Sequence, residues 1–205
     1  MKRAHGPPAI TPDVIDGESR ERYTGFMEAE DYPHELDGDV TLANSEHIHI
    51  RALHRGETDA IHDLYAHLSP RSRYLRFFSM VPRLPDPVVR LLACVDYRRR
   101  LSIVAEHDNG NGADIVGLGT FGAVDDGNVE LGLVVRDDWQ GRGLGTALAI
   151  RVLDAAEARG FHRFIAHLQT GNPAIRRIVG HVGEIVATSL SGGVSEVAFV
   201  RRQPL

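Results

Sequence analysis

The sequence predicts an α/β fold of the α+β kind, a mixed, mostly antiparallel central sheet flanked by helices. Three observations carry that prediction. Short stretches with apolar alternation mark strands, and apolar residues at three- and four-residue spacing mark the helices between them. Asn109-Gly110-Asn111-Gly112 and Asp125-Asp126-Gly127-Asn128 are turn sequences that join three strands in antiparallel order. The third of these strands, residues 129–135, runs into a turn with three glycines and then a helix closed by Gly160.

Taken in order, residues 1–45 differ from the rest. They hold ten acids against four bases, with prolines at 7, 8, 12 and 33 and glycines at 6, 17, 25 and 38. This composition reads as an acidic arm, either solvated or packed across the domain through Val14, Ile15 and residues 23–27. The folded domain is expected over residues 46–205. Residues 46–53 (EHIHIRAL) form its first strand, with His47 and His49 on one face. Residues 58–68 read as a helix with Ala60, Ile61, Leu64, Tyr65 and Leu68 on its apolar side. Ser69-Pro70 ends that helix or opens the next, SPRSRYLRFF at 69–78, which reads as a helix packing its aromatics. Prolines at 82, 85 and 87 break the chain before a helical patch at 88–95. Strands at 101–107, 113–124 and 129–135 follow, then the helix from Leu144, on which Leu148, Val152 and Ala155 recur. A strand at 161–169, a short helix at 172–182 and strands at 184–190 and 194–201 complete the order β-α-α-β-β-β-α-β-α-β-β.

A chain of 205 residues suits one domain plus an extension. Its formal net charge of -5 argues against a nucleic-acid binder. The single cysteine, Cys94, leaves no internal disulfide, suits a reducing compartment, and reads as a buried structural thiol. No apolar run approaches a membrane span and the N-terminus lacks a signal-peptide core, so a cytoplasmic location without membrane association is expected. The His47/His49 pair lacks further ligands at metal spacing, so no metal is expected.

The glycine turn carries the chemistry. Glycines let backbone approach an anion without a Cβ in the way, and the first amides of the following helix lack internal partners where its dipole favours negative charge. A P-loop would need Gly-Lys-Ser/Thr, and no lysine is present here. A dinucleotide fingerprint would need G-x-G-x-x-G, whereas the spacing is Gly141, Gly143, Gly145.

The pattern Gln140-x-x-Gly143-x-Gly145, after a strand and opening a helix, resembles the acyl-CoA signature of the GCN5-related N-acetyltransferases (GNAT). The resemblance runs from about residue 46 to the C-terminus. It implies the GNAT fold, with acetyl-CoA as co-substrate. It further implies that the amides of Gln140, Gly141, Arg142, Gly143, Leu144 and Gly145, with Thr146 beside them, hold the CoA pyrophosphate. The backbones of Leu133 and Val135, with Val134 between, would pair with pantetheine where the central strand splays at a bulge. Asn172 matches the family's asparagine near that arm, a role compatible with an N-cap. Glu130 matches the general base. A lysine amine with pKa about 10.4 must lose a proton before attack, which costs roughly 4–5 kcal/mol at pH 7, and a nearby carboxylate can accept it. Two positions depart from the family: Val179 stands where many members carry a tyrosine general acid, and Glu184 replaces an aromatic. Arg176 and Arg177 read as solvated helix arginines within reach of a CoA phosphate.

SPRSRYLRFF followed by DWQGRGLG is similar to the catalytic domain of bacterial protein lysine acetyltransferases. That resemblance implies direct acetyl transfer to a protein lysine, on a substrate such as an acyl-CoA synthetase. Two other readings stand beside it: acetylation of a small amine, and a non-catalytic acyl-CoA-binding sensor module. The acidic arm, facing an arginine-rich domain, is a candidate cover for the acceptor or cofactor site. Monomer and homodimer are both open.

Overall fold

The structure, a computed structural model, describes residues 31–110, 112–169 and 172–202. The anchors expected at Val14, Ile15 and 23–27 lie outside the described residues. The chain builds β1 (Gly38–Thr41), β2 (His47–Ala52), α1 (Thr58–Ala66), α2 (Pro70–Phe77), α3 (Asp86–Ala93), β3 (Arg100–Asp108), β4 (Ala113–Ala123) and β5 (Asn128–Val135). It continues through α4 (Leu144–Glu157), β6 (Arg163–Gln169), α5 (Pro173–Val182), β7 (Gly183–Ser191) and β8 (Val194–Arg201). The eight strands form one sheet in the order β1-β2-β3-β4-β5-β6-β8-β7. Every neighbouring pair is antiparallel except β5 and β6.

The expected element order is present with two additions. The helical patch before β3 is a full third helix, α3. A strand also precedes the one expected first: β1 pairs with β2 from Gly38 opposite Ile50 to Thr41 opposite His47. Leu36 and Leu42 beside it are buried, and the Tyr32 ring stacks on His54 while its hydroxyl donates to the Ala52 carbonyl. The sheet therefore takes in residues 38–41 of the stretch expected as an arm. Four residues containing a glycine and an aspartate are too short for alternation to register, and pairing with β2 decides their conformation.

Helices cover both faces. On one, α4 and α5 pack through Leu144, Leu148, Val152 and Val179 against Val129, Val135 and Phe164. On the other, α1 and α3 pack through Ile61, Leu64 and Val89 against Leu53, Leu118 and Val134. Residues of β5 alternate between these faces, so Glu130, Gly132 and Val134 share the side that carries α1 to α3.

Helix α2 is fixed by polar contacts more than by its aromatics. Ser69 caps it by accepting from the Ser72 amide, and Pro70 occupies its first turn. Asp137, just past β5, accepts from the Ser69 amide at 2.9 Å and from the Ser69 and Ser72 hydroxyls at 2.7 and 2.8 Å. Phe77 meets Tyr65 edge-on, whereas Tyr74 and Phe78 are exposed. The clamp sets the far end of α2 over the middle of β5.

Candidate active site

The site forms where the sheet splits. β5 pairs with β4 in continuous register from Val129 opposite Ala123 to Val135 opposite Gly117. Its pairing with β6 runs only from Asn128 opposite Arg163 to Leu131 opposite Ala166. Beyond Leu131 the two strands diverge, and the edge of β5 that carries Leu133 and Val135 is free of strand partners. The splay is thus a divergence of β5 from β6; the bulge expected in the central strand is absent from the β4–β5 ladder. A cavity of about 500 Å³ fills the gap, lined among others by Glu130, Leu133, Gly143, Thr146, His167 and Asn172.

One end of the cavity is the glycine turn. Gly141 and Gly143 adopt φ of 75° and 95°, and an added Cβ at either would meet open space. Gly143 is the N-cap of α4, and its carbonyl accepts from the amides of Thr146 and Ala147. Among the described residues the amides of Gly141, Arg142, Gly143, Leu144 and Gly145 have no hydrogen-bond partner. Five consecutive amides without partners at a helix N-terminus suit a diphosphate, and Gly141, Gly143 and Gly145 among them line the cavity.

Gln140 departs from the expected amide set, while Thr146, beside that set, lines the cavity and donates its amide to the Gly143 carbonyl. The Gln140 amide is committed to the Asp137 carbonyl at 3.3 Å, because residues 137–139 close a 3-10 turn. The Gln140 side chain donates to the Val135 carbonyl at 3.0 Å and to Ser72 Oγ at 3.2 Å. It therefore braces the turn against β5 and α2. Arg142 directs its guanidinium to Glu46, at 2.7 and 2.8 Å, and over the Trp139 ring.

Glu130 lies at the mouth, its side chain about half exposed at 48%. His167, on β6 and 13% exposed, places Nδ1 at 3.3 Å from Glu130 and Nε2 at 3.3 Å from Glu196. The His167 contact holds the Glu130 carboxyl below the ordinary carboxylate range; burial opposes this and the Arg76 charge adds to it. Glu130 in turn raises the imidazole pKa against the cost of burial, with Glu196 contributing. Nothing local in the sequence distinguishes His167 as a site residue; it meets Glu130 because β6 pairs with β5.

The remaining positions are plain. The Asn172 side chain caps α5 by accepting from the Ile175 amide at 3.4 Å, and the residue also lines the cavity. Val179 is buried, with no hydroxyl at that point of α5. Arg177 lines the cavity and Arg176 does not. Cys94 ends α3 and is partly exposed, less enclosed than a core thiol. His47 and His49 share the exposed face of β2, next to Thr41 and Asp39. Among the described residues no group of three His, Cys, Asp or Glu is placed to hold a metal, and no helix is long and apolar enough to cross a membrane.

A split central sheet that opens onto a helix N-terminus of unpaired amides defines a scaffold suited to a cofactor with a diphosphate and an extended arm. Residues 58–179 match the Acetyltransferase (GNAT) family, and the chain belongs to that family. Acetyltransferase PA5475 of Pseudomonas aeruginosa is 27% identical over 149 residues, covering 70% of this chain and 80% of that protein. The L-methionine sulfoximine/L-methionine sulfone acetyltransferase of the same species is 42% identical over 48 residues, 23% of this chain and 28% of that one. Among solved structures, the GNAT domain of S. lividans PAT superposes with a TM-score of 0.75 at 23% identity, over 82% of this chain and 99% of that domain. The yncA protein of Salmonella typhimurium, solved with acetyl-CoA, gives 0.57 at 21% identity, over 74% and 91%.

Proposed function

We propose that this protein transfers an acetyl group from acetyl-CoA to a primary amine by direct attack. The observation that carries the reading is the run of five free amides, Gly141 to Gly145, at the end of the β5–β6 split. In this reading they hold the diphosphate, and the free edge of β5 at Leu133 and Val135 guides the pantetheine arm towards Glu130. Glu130 accepts the ammonium proton, directly or through one water, and passes it to His167. The amine then forms its bond to the thioester carbonyl carbon as the carbon–sulfur bond breaks, CoA leaves as thiolate, and the second nitrogen proton passes to solvent as the amide forms. Val179 offers no acid to protonate it.

The acceptor expected from SPRSRYLRFF is a protein lysine. The small-amine reading gains support from similarity to an enzyme named for L-methionine sulfoximine and sulfone. Release of CoA thiol tests the reaction, with acetyl-CoA supplied to an amine panel and to lysine peptides. Using a Lys2→Arg chain removes the only internal lysine. Release that requires both substrates is expected. Tight acetyl-CoA binding with no release for any amine would convert the reading to a sensor module.

The competent pair has Glu130 ionised and His167 neutral. Because the shared contact raises the imidazole pKa, kcat is expected to rise with pH on an apparent value above the ordinary histidine range, a value that belongs to the pair. His167→Gln removes the proton's resting place, so the acid limb should move down towards the carboxylate range by about one pH unit or more and kcat should fall. A limb that stays in place would remove His167 from the proton path.

A further inference from the structure

Arg76 is a charged side chain that no carboxylate among the described residues answers with an ion pair. It sits in the last turn of α2 with its guanidinium on the face of β5 that carries Glu130. The approach is close enough that a Cβ at Gly132 would stand 2.5 Å from Arg76 Cζ and 2.8 Å from Thr120 Oγ1. Only glycine leaves room for the guanidinium over the strand. Nη2 donates to Thr120 Oγ1 at 3.1 Å, and the cation lies 5.1 Å from the Phe77 ring centroid. Among the described residues, Nε is buried without a partner, Nη1 makes no hydrogen bond, and no carboxylate lies within ion-pair distance of either. Arginine is rarely buried unless paired, since burial of an unanswered charge is costly. Burial accordingly depresses its pKa, with only the charge of Glu130 opposing.

The residue also lines the cavity. Its planar fork matches a carboxylate in geometry and charge, which an ammonium or a peptide carbonyl does not. Glu130 and Gly132 are alternate residues on one strand face, about 6.6 Å apart along the chain. A molecule carrying an amine and a carboxylate on the same or neighbouring carbons has the two groups spaced to address neighbouring positions on that one strand face.

We propose that Arg76, held over Gly132 by Thr120 and Phe77, is a carboxylate subsite beside Glu130, so that one of the two reacting molecules carries a carboxylate. The carboxylate belongs either to the acceptor, an amino-acid-like primary amine, or to a dicarboxylic acyl group on CoA. This rests on the acyl-transfer reading above and narrows its substrate class.

The test compares wild type, Arg76→Met and Gly132→Ala. The alanine displaces the end of a flexible side chain and no backbone, so the fold should survive it. Acetyl-CoA is offered with the twenty L-amino acids and with the amines left by removing their α-carboxylates. Succinyl-CoA and acetyl-CoA are then compared on one carboxylate-free amine. If the acceptor supplies the carboxylate, wild type prefers the amino acid, and both variants raise its KM roughly 10- to 100-fold while sparing the decarboxylated amine. If the acyl group supplies it, wild type prefers succinyl-CoA and both variants erase that preference. Variants that change all acceptors and both donors alike would overturn the subsite while leaving acyl transfer intact, as would a wild type that acetylates lysine peptides best with Arg76→Met unimpaired. Should no amine be acylated at all, the transfer reading fails, and calorimetric titration with succinate still decides the subsite. Binding to wild type that Arg76→Met abolishes keeps it, and equal binding or none overturns it.

Discussion

Glu130→Gln is expected to lower kcat by about 10²–10⁴-fold while leaving acetyl-CoA affinity within a few-fold of wild type. Glutamine keeps the size and the hydrogen-bonding carbonyl of the side chain but cannot take up a proton at neutral pH. The substitution also removes the group that raises the His167 pKa, so the imidazole becomes a weaker proton acceptor at the same time. Stability should change little. The Glu130 side chain is about half exposed at 48%, and ion pairs of that kind contribute at most about 1 kcal/mol. His167 also keeps Glu196 at 3.3 Å. Steady-state kinetics and calorimetric titration with acetyl-CoA on the same preparation separate the two effects. Unchanged kcat would remove Glu130 from the chemistry, and lost affinity would make it a cofactor contact.

The second large effect is expected at Gly143. Valine there should weaken acetyl-CoA binding by roughly 100-fold or more, because the turn loses the backbone shape that leaves its amides unpaired at the cavity. Gly143 has φ of 95°, where an L-residue costs about 1–3 kcal/mol, and a β-branched one is the least tolerant. The same helix supplies the control. Gly160, beyond its other end, has φ of 86° and also faces open space, but it does not line the cavity. Gly160→Val should lower the melting temperature by a similar amount and leave affinity unchanged. If both variants lose binding equally, the loss at Gly143 reports general destabilisation.

What was legible in the sequence is what local pattern encodes. The strand, three-glycine turn and long helix around Gly143 follow from hydrophobic period and glycine spacing, whereas Glu130 on that strand is pointed to by the resemblance to the family. The turn's free amides were legible as a group, but not that the Gln140 amide is spent on Asp137, since a 3-10 turn leaves little trace in sequence. Arg76 was invisible because α2 carries Arg71, Arg73 and Arg76 alike, and only packing separates them. Arg73 binds the Tyr65 and Ala66 carbonyls, while Arg76 reaches over β5. A signal did exist two residues after Glu130: a glycine inside a central strand marks close approach by another part of the chain. His167 and Glu196 meet Glu130 only through the strand order β5-β6-β8, a long-range arrangement that no single stretch records.

The ladder between β4 and β5 makes the chemistry a matter of parity. Glu130 stands opposite Gly122, and each neighbour along β5 points to the other side of the sheet. A slip of one residue would send Glu130 into the apolar layer beneath α4 and turn Leu131 out to meet Arg76 and His167. It would also expose Val129 and Val135 on the wrong side while forcing a leucine into the space that Gly132 leaves for a guanidinium. The misregistered sheet would thus lose its core and its carboxylate in the same step. Half-correct pairings are both unstable and inert, so the hydrophobic pattern that selects the fold also guards the identity of the base.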